Sequence, residues 1–195
     1  AAACGIDAMV HALEAYISKA SSPFSDAMAE KALELIGKNI RRYVADRTDF
    51  EAAEGMLVGS LFAGIAFSFA RLGNVHAMSH PISAFFDVPH GVANAILLPI
   101  VVKYNALADD GKYLKIYNYI AKVKAYEDEF EPYMLVDLLL QLNEELGIPG
   151  SLSEVSVTSD KFDAMADDAM KSGNILVNPR STRKEDILFL YEEAL

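Results

Sequence analysis

Apolar residues recur at three- and four-residue intervals along most of this chain, and strict alternation is rare, so the pattern predicts helices throughout. The first is expected over Gly5 to Ser18, where the Ser21–Pro23 stretch interrupts it. Ser22 followed by Pro23 makes a good start for the second, because proline is tolerated at the first helical position, and this helix runs to Val44. Asp49 can cap a third, which carries the apolar run GMLVGSLFAGIAFSFA (Gly55 to Ala70) and stops near Gly73. A fourth is expected over His76 to Phe86, kinked at Pro81. Pro89 starts the fifth, VANAILLPIVVKY, in which Pro99 is a kink or an early break. A turn at Asp110-Gly111 precedes LKIYNYIAKV, and a further helix spans Pro132 to Leu146 and ends at Gly147. IPGSLSEVSV reads as loop, Phe162 to Met170 as helix ending at Gly173, and NILVNPRS as loop. Thr182-Arg-Lys-Glu185 has the form of a capping box for the last helix. With no internal repeat and no low-complexity tract, residues 1–195 read as one all-α domain with short connections.

Composition narrows what such a domain can do. At 52% hydrophobic residues the chain fills a core without disulfides. Its single cysteine, Cys4, reads as an ordinary small residue and fits a reducing compartment, hence the cytoplasm. The net charge of −11, spread over many segments, argues against nucleic-acid partners and against anionic membrane surfaces. No basic region followed by an apolar stretch marks a secretory signal. The only membrane suspect, Gly55 to Ala70, is shorter than the roughly 20 apolar residues needed to span and contains Ser60 and Ser68. Gly59 and Gly64 would let another helix approach, so a buried core helix is expected there.

The candidate chemistry lies in the histidines. Three of the four, His76, His80 and His90, fall within NVHAMSHPISAFFDVPHG. Asp7 and His11 stand four residues apart on the first helix and so share a face. His76 and His80 repeat that spacing, and His90 sits at a helix start beside Gly91, which permits close approach of a ligand or another helix. Imidazoles joined by one carboxylate suit a borderline divalent ion such as Fe²⁺ or Zn²⁺ with a position left open for substrate. On the residues alone, the competing reading is that each histidine packs separately in the core. Other chemistries fit less well. There is no HExxH, no Glu-x-x-His pair (His11-x-x-Glu14 is the reverse order), no His-Asp dipeptide, no nucleophile elbow and no glycine-rich phosphate loop.

The stretches GIDAMVHALEAYIS, AGIAFSFARLGNVHAMSHPISAFFDVPHGVANAILLP and KSGNILVNPRSTRKEDI resemble, in order and over essentially the whole chain, the C-terminal helical domain of the iron-containing (group III) alcohol dehydrogenases. The likeness is nearest to the branch of 1,3-propanediol dehydrogenase and lactaldehyde reductase. It implies a dehydroquinate synthase-like all-α fold and one divalent metal, iron or in some members zinc, on Asp7, His11, His76 and His90. By the same resemblance His80 lies beside the nicotinamide and substrate, in cofactor contact or proton relay, and Phe67 shapes the substrate pocket. The segment before Asn178-Pro179-Arg180 lies near that pocket, while the NPR itself reads as a structural loop. The implied activity is reversible hydride transfer between a small primary alcohol or diol, or its aldehyde, and NAD(P).

The sequence departs from the family in having no strand-rich half and no Gly-Gly-Gly-Ser stretch; no two glycines are adjacent. It is therefore expected to be the metal-binding half of a larger dehydrogenase, inactive on its own, with an exposed apolar face that drives association into a homo-oligomer. The alternatives are a non-catalytic helical metal-binding or interaction module, and an unrelated all-α protein whose core histidines are satisfied.

Overall fold

Helix α1 (Ala2–Ile17) is apolar on nearly every side, and in the computed structural model, which describes all 195 residues, it lies packed among α2 (Pro23–Ala45), α3 (Phe50–Ala70) and α5 (His90–Asn105). Ile6, Met9, Val10, Leu13 and Tyr16 are all buried. The polar residues within α1, Asp7, His11 and Glu14, follow at four- and three-residue steps and so form a single stripe on a hydrophobic helix. Helix α4 (Asn74–Phe86) packs on α5 and on α8 (Phe162–Met170); α7 (Pro132–Glu145) and α9 (Lys184–Ala194) cover other sides of α5. Helix α6 (Lys112–Ile120) rests on α2 and α7. The chain contains no strand.

Several expected boundaries hold for the expected reasons. The Ser22 hydroxyl accepts from the Ser25 N–H and the Ser25 hydroxyl from the Ser22 N–H, with Pro23 at the first helical position. The Asp49 carboxylate accepts from the Ala52 N–H at 3.0 Å. Gly147, past the end of α7, takes the left-handed conformation at φ 67°. Helices α4 and α5 both continue through their prolines, Pro81 and Pro99. At Gly91 the first turn of α5 lies so close to the start of α1 that a Cβ would meet the Ala3 carbonyl oxygen at 2.5 Å. That approach sets His90 beside Asp7.

Three expectations need correction. Helix α4 begins at Asn74, two residues ahead of His76, because its first N–H groups find acceptors on distant segments. The last helix is capped one position later than Thr182-Arg-Lys-Glu185 suggests: the Asp186 carboxylate accepts from the Arg183 N–H at 2.8 Å. Thr182 is engaged elsewhere, accepting from Asn74 Nδ2 and donating to the Arg180 carbonyl. Finally, α3 is not a fully buried core helix. It presents Ala52, Met56, Gly59, Ala63, Ala66 and Ala70 inward and leaves Leu57, Leu61 and Phe69 more than 60% exposed. Gly59 does admit α2, where a Cβ would stand 2.7 Å from the Ile36 side chain, but Gly64 faces open space. Residues 50–70 and 90–108 are both long and apolar enough to cross a membrane; the second is mostly packed within the fold and the first buries only one face.

A buried tyrosine and a partly buried glutamate tie α1 to α2: the Tyr16 hydroxyl donates to Glu30 Oε1 at 2.5 Å, and Lys115 Nζ reaches the same oxygen at 3.1 Å. Partial burial raises the Glu30 carboxyl, but Tyr16 and Lys115 outweigh it and hold the group below its ordinary value. A depressed carboxyl contributes stability that is present above its unfolded value and lost as pH falls through the folded one. Glu30→Gln is therefore expected to lower the urea midpoint at neutral pH and to flatten the fall in stability between about pH 5 and pH 3. Unchanged acid sensitivity in the variant would remove Glu30 from that role.

Candidate metal centre

The polar stripe of α1 meets α4 and α5 at one point. A carboxylate oxygen of Asp7 and ring nitrogens of His76 and His90 all lie within 4.8 Å of one another. Asp7 Oδ1 is 3.6 Å from His76 Nε2 and 3.7 Å from His90 Nε2. His11 stands beside this trio, its ring stacked on His76 with centroids 4.5 Å apart and planes at 19°, although its nitrogens fall outside the tight cluster. His76 is 1% exposed; Asp7, His11 and His90 are half-buried.

The two remaining expected residues border the cluster. His80, one turn after His76, is exposed and stacks on His90 with centroids 5.0 Å apart and planes at 11°. Phe67, near the end of α3, lies against His11 with centroids 4.7 Å apart. All six residues singled out in the sequence thus share one region. Asn178, in the NPR loop, is structural: it exchanges hydrogen bonds with Asn105 at 2.8 and 3.1 Å and accepts from the Asn74 N–H at 3.2 Å.

Two residues were missed. Glu14, 2% exposed, accepts from the Val75 N–H at 2.7 Å and lies 2.7 Å from His76 Nδ1. Asn94, fully buried, points its amide nitrogen at Asp7 Oδ1 (2.5 Å), His90 Nε2 (3.0 Å) and His76 Nε2 (3.2 Å). Their positions carried a faint signal, since Glu14 completes the Asp7–His11 stripe and Asn94 follows His90 by four residues.

The electrostatics favour a positive charge at the centre. Burial alone lowers His76, but hydrogen bonds and charge from Asp7 and Glu14 outweigh it and raise the ring to about 9. Burial pushes His11 down to about 4, with the neighbouring His76 adding to the effect. His80 and His90 are lowered as well, chiefly by burial. These three rings are therefore mainly neutral at pH 7, with lone pairs to offer. A divalent ion fits the residues present on a separate count. The Asn94 amide nitrogen has two hydrogens and faces three acceptors, while its own Oδ1 is buried without a partner. One carboxylate with three imidazoles is a donor set that iron and zinc both accept.

Fold and cluster together define an all-helical domain built around a carboxylate–imidazole site. The chain belongs to the Fe-containing alcohol dehydrogenase family: the model of its C-terminal part matches residues 1–195. Among similar proteins, 1,3-propanediol dehydrogenase of Citrobacter freundii is 39% identical over 194 residues, which are 99% of this chain and 50% of that protein. Lactaldehyde reductase of Escherichia coli (strain K12) is 41% identical over the same length, 99% of this chain and 50% of the relative. A crystal structure of 1,3-propanediol oxidoreductase superposes with a TM-score of 0.93 at 38% identity, covering 100% of this chain and 51% of that one. Alcohol dehydrogenase from Oenococcus oeni superposes with a TM-score of 0.94 at 35% identity, again over 100% and 51%. The chain thus spans about half the length of the relatives it matches.

Proposed function

We propose that this chain is the metal-holding half of a cytoplasmic NAD(P)-dependent alcohol dehydrogenase, exchanging a hydride between a small primary alcohol or diol, or its aldehyde, and the nicotinamide. The observation that carries this reading is the convergence of Asp7, His76 and His90 within 4.8 Å, with His11 stacked alongside. These four residues would hold a divalent ion, iron first and zinc second. When bound, the ion supplies Lewis-acid polarisation of an alcohol or carbonyl oxygen.

The rest of the work falls to the chain itself. Asp7 contributes the one formal negative charge among the ligands, so the loaded site keeps a net charge near +1 and favours an anionic oxygen. His80, exposed and only partly desolvated, is placed to pass a proton between the site and water. Phe67 forms an apolar wall beside His11 and limits the size of the alcohol. A nucleotide-binding half, like the portion of the relatives this chain does not span, would carry NAD(P). Association of copies is part of the same reading, supported by the apolar side chains exposed on α3. A membrane span is not part of it, because α5 is mostly packed within the fold, with Asn94 fully buried, and α3 packs one face against α1 and α2.

The test combines metal analysis with catalysis. The purified chain is expected to take up one Fe²⁺ or Zn²⁺, and NAD(P)-linked oxidation of 1,3-propanediol is expected only when a nucleotide-binding half is supplied. Failure of the folded wild-type chain to bind either ion stoichiometrically, with any residual metal uptake unchanged in His90→Ala, would favour separately packed core histidines.

A further inference from the structure

The first turn of α4 has no cap of its own. The residue before it is Gly73, which has no side chain to offer, and a Cβ there would press on Glu14 Oε1 at 2.9 Å. The orphan N–H groups are met instead from elsewhere in the chain. Asn74 N–H donates to Asn178 Oδ1, Val75 N–H to Glu14 Oε1 at 2.7 Å, and His76 N–H to Glu14 Oε2 at 3.4 Å. Glu14 thereby sits where a helix N-terminus concentrates positive potential, which suits a carboxylate. The same Oε2 lies 2.7 Å from Nδ1 of the His76 ring. On the far side of that ring, Nε2 faces Asp7 and Asn94.

We propose that Glu14 is a positioning residue for the metal centre: gripped by the backbone of α4, it accepts the Nδ1–H of His76 and so directs the Nε2 lone pair toward Asp7 and His90. A carboxylate with both oxygens already taking N–H donors can only accept from the ring, which selects the Nδ1–H tautomer. The ring is also fixed in rotation, because Glu14 and the His76 backbone N–H belong to one hydrogen-bonded unit. A carboxylate behind the ring makes Nε2 a stronger donor. The inference rests on the metal-centre reading above and extends it to a residue that meets the site only through His76.

Glu14→Gln separates this role from simple capping. Glutamine can keep its oxygen on the Val75 N–H, but its amide nitrogen then faces Nδ1 and demands a lone pair there. The ring is forced to the Nε2–H tautomer, and the proton occupies the position the ion needs. Side-chain ¹⁵N spectra of His76, taken without metal in alkaline buffer where the ring is neutral, are expected to give Nδ1–H in the wild-type chain and Nε2–H in Glu14→Gln. Zn²⁺ affinity, read by competition with a chromogenic chelator, is expected to fall by about 10- to 100-fold in the variant. An Nε2–H ring in the wild-type protein overturns the proposal, as does a folded Glu14→Gln with unchanged tautomer and affinity. A variant that lost only stability would reduce Glu14 to a cap. If the variant does not fold, the wild-type spectrum still decides. If the wild-type chain takes up no zinc, the metal-centre reading fails, while the ring proton reports on Glu14 independently.

Discussion

Replacing His76 by alanine is expected to abolish metal retention and, in an enzyme completed by its nucleotide-binding half, to cut turnover by about a thousandfold. His76 is the most enclosed member of the cluster and the one ring that faces Asp7, His11, His80 and His90 together. Lewis-acid stabilisation is worth several kcal/mol, and ~4 kcal/mol corresponds to about three powers of ten in rate. Stability should fall as well, because Glu14 loses its ring partner while remaining buried; removing one member of a buried charged pair costs about 3–5 kcal/mol. Asp7→Asn is the cleaner companion. It keeps the side-chain volume and removes the charge, so metal content should drop with less damage to the fold. Measuring bound metal by atomic absorption alongside urea unfolding separates the two effects. A His76→Ala protein that still carries one ion per chain would sink the assignment of the centre.

Asn178→Leu is expected to cost about 2–6 kcal/mol, a large part of the 5–15 kcal/mol that holds a domain folded. Asn178 and Asn105 exchange two hydrogen bonds inside the core, and Asn178 also bonds the Asn74 N–H and the Arg180 carbonyl. Leucine leaves the Asn105 amide buried with neither partner, at roughly 1–3 kcal/mol per stranded group. The start of α4 loses one of its anchors at the same time, so metal affinity should weaken although the residue lies outside the cluster. Asn178→Asp retains the acceptor and the shape but loses the donor, and should fall between the two. A loss below about 1 kcal/mol for leucine would mean that the loop relaxes to satisfy Asn105 by another route.

Much of this was legible before any coordinates. Helix starts marked by local chemistry, such as Ser22-Pro23 and Asp49, were correctly placed because the capping partner lies within three residues. The start of α4 was not, because its acceptors are Glu14 and Asn178, far off in sequence. Thr182 looked like a cap and was diverted by Asn74 for the same reason. On α3 the two faces differ in size rather than polarity, small residues inward and Leu57, Leu61 and Phe69 outward, so periodicity alone could not tell which side was buried. For the site, the Asp7–His11 and His76–His80 spacings and His90 pointed to residues that do meet. Glu14 and Asn94 escaped because a glutamate on a helix and an asparagine after a histidine acquire meaning only from what crosses them in space.

The site joins parts of the chain that are made far apart in time. Asp7 and Asn94 are separated by 87 residues, and Asn74 and Asn178 by 104. At about 5–20 residues per second of synthesis, α1 leaves the ribosome several seconds before Asn94 is made. Its charged stripe must wait in water, and its apolar remainder must be shielded, until α4 and α5 arrive. Closing loops of this length costs chain entropy before the contacts repay it, which slows the folding of a domain whose site is assembled this way. A cation would find its ligands gathered only in the folded chain, so its occupancy would draw the balance between folded and unfolded chain toward the finished domain.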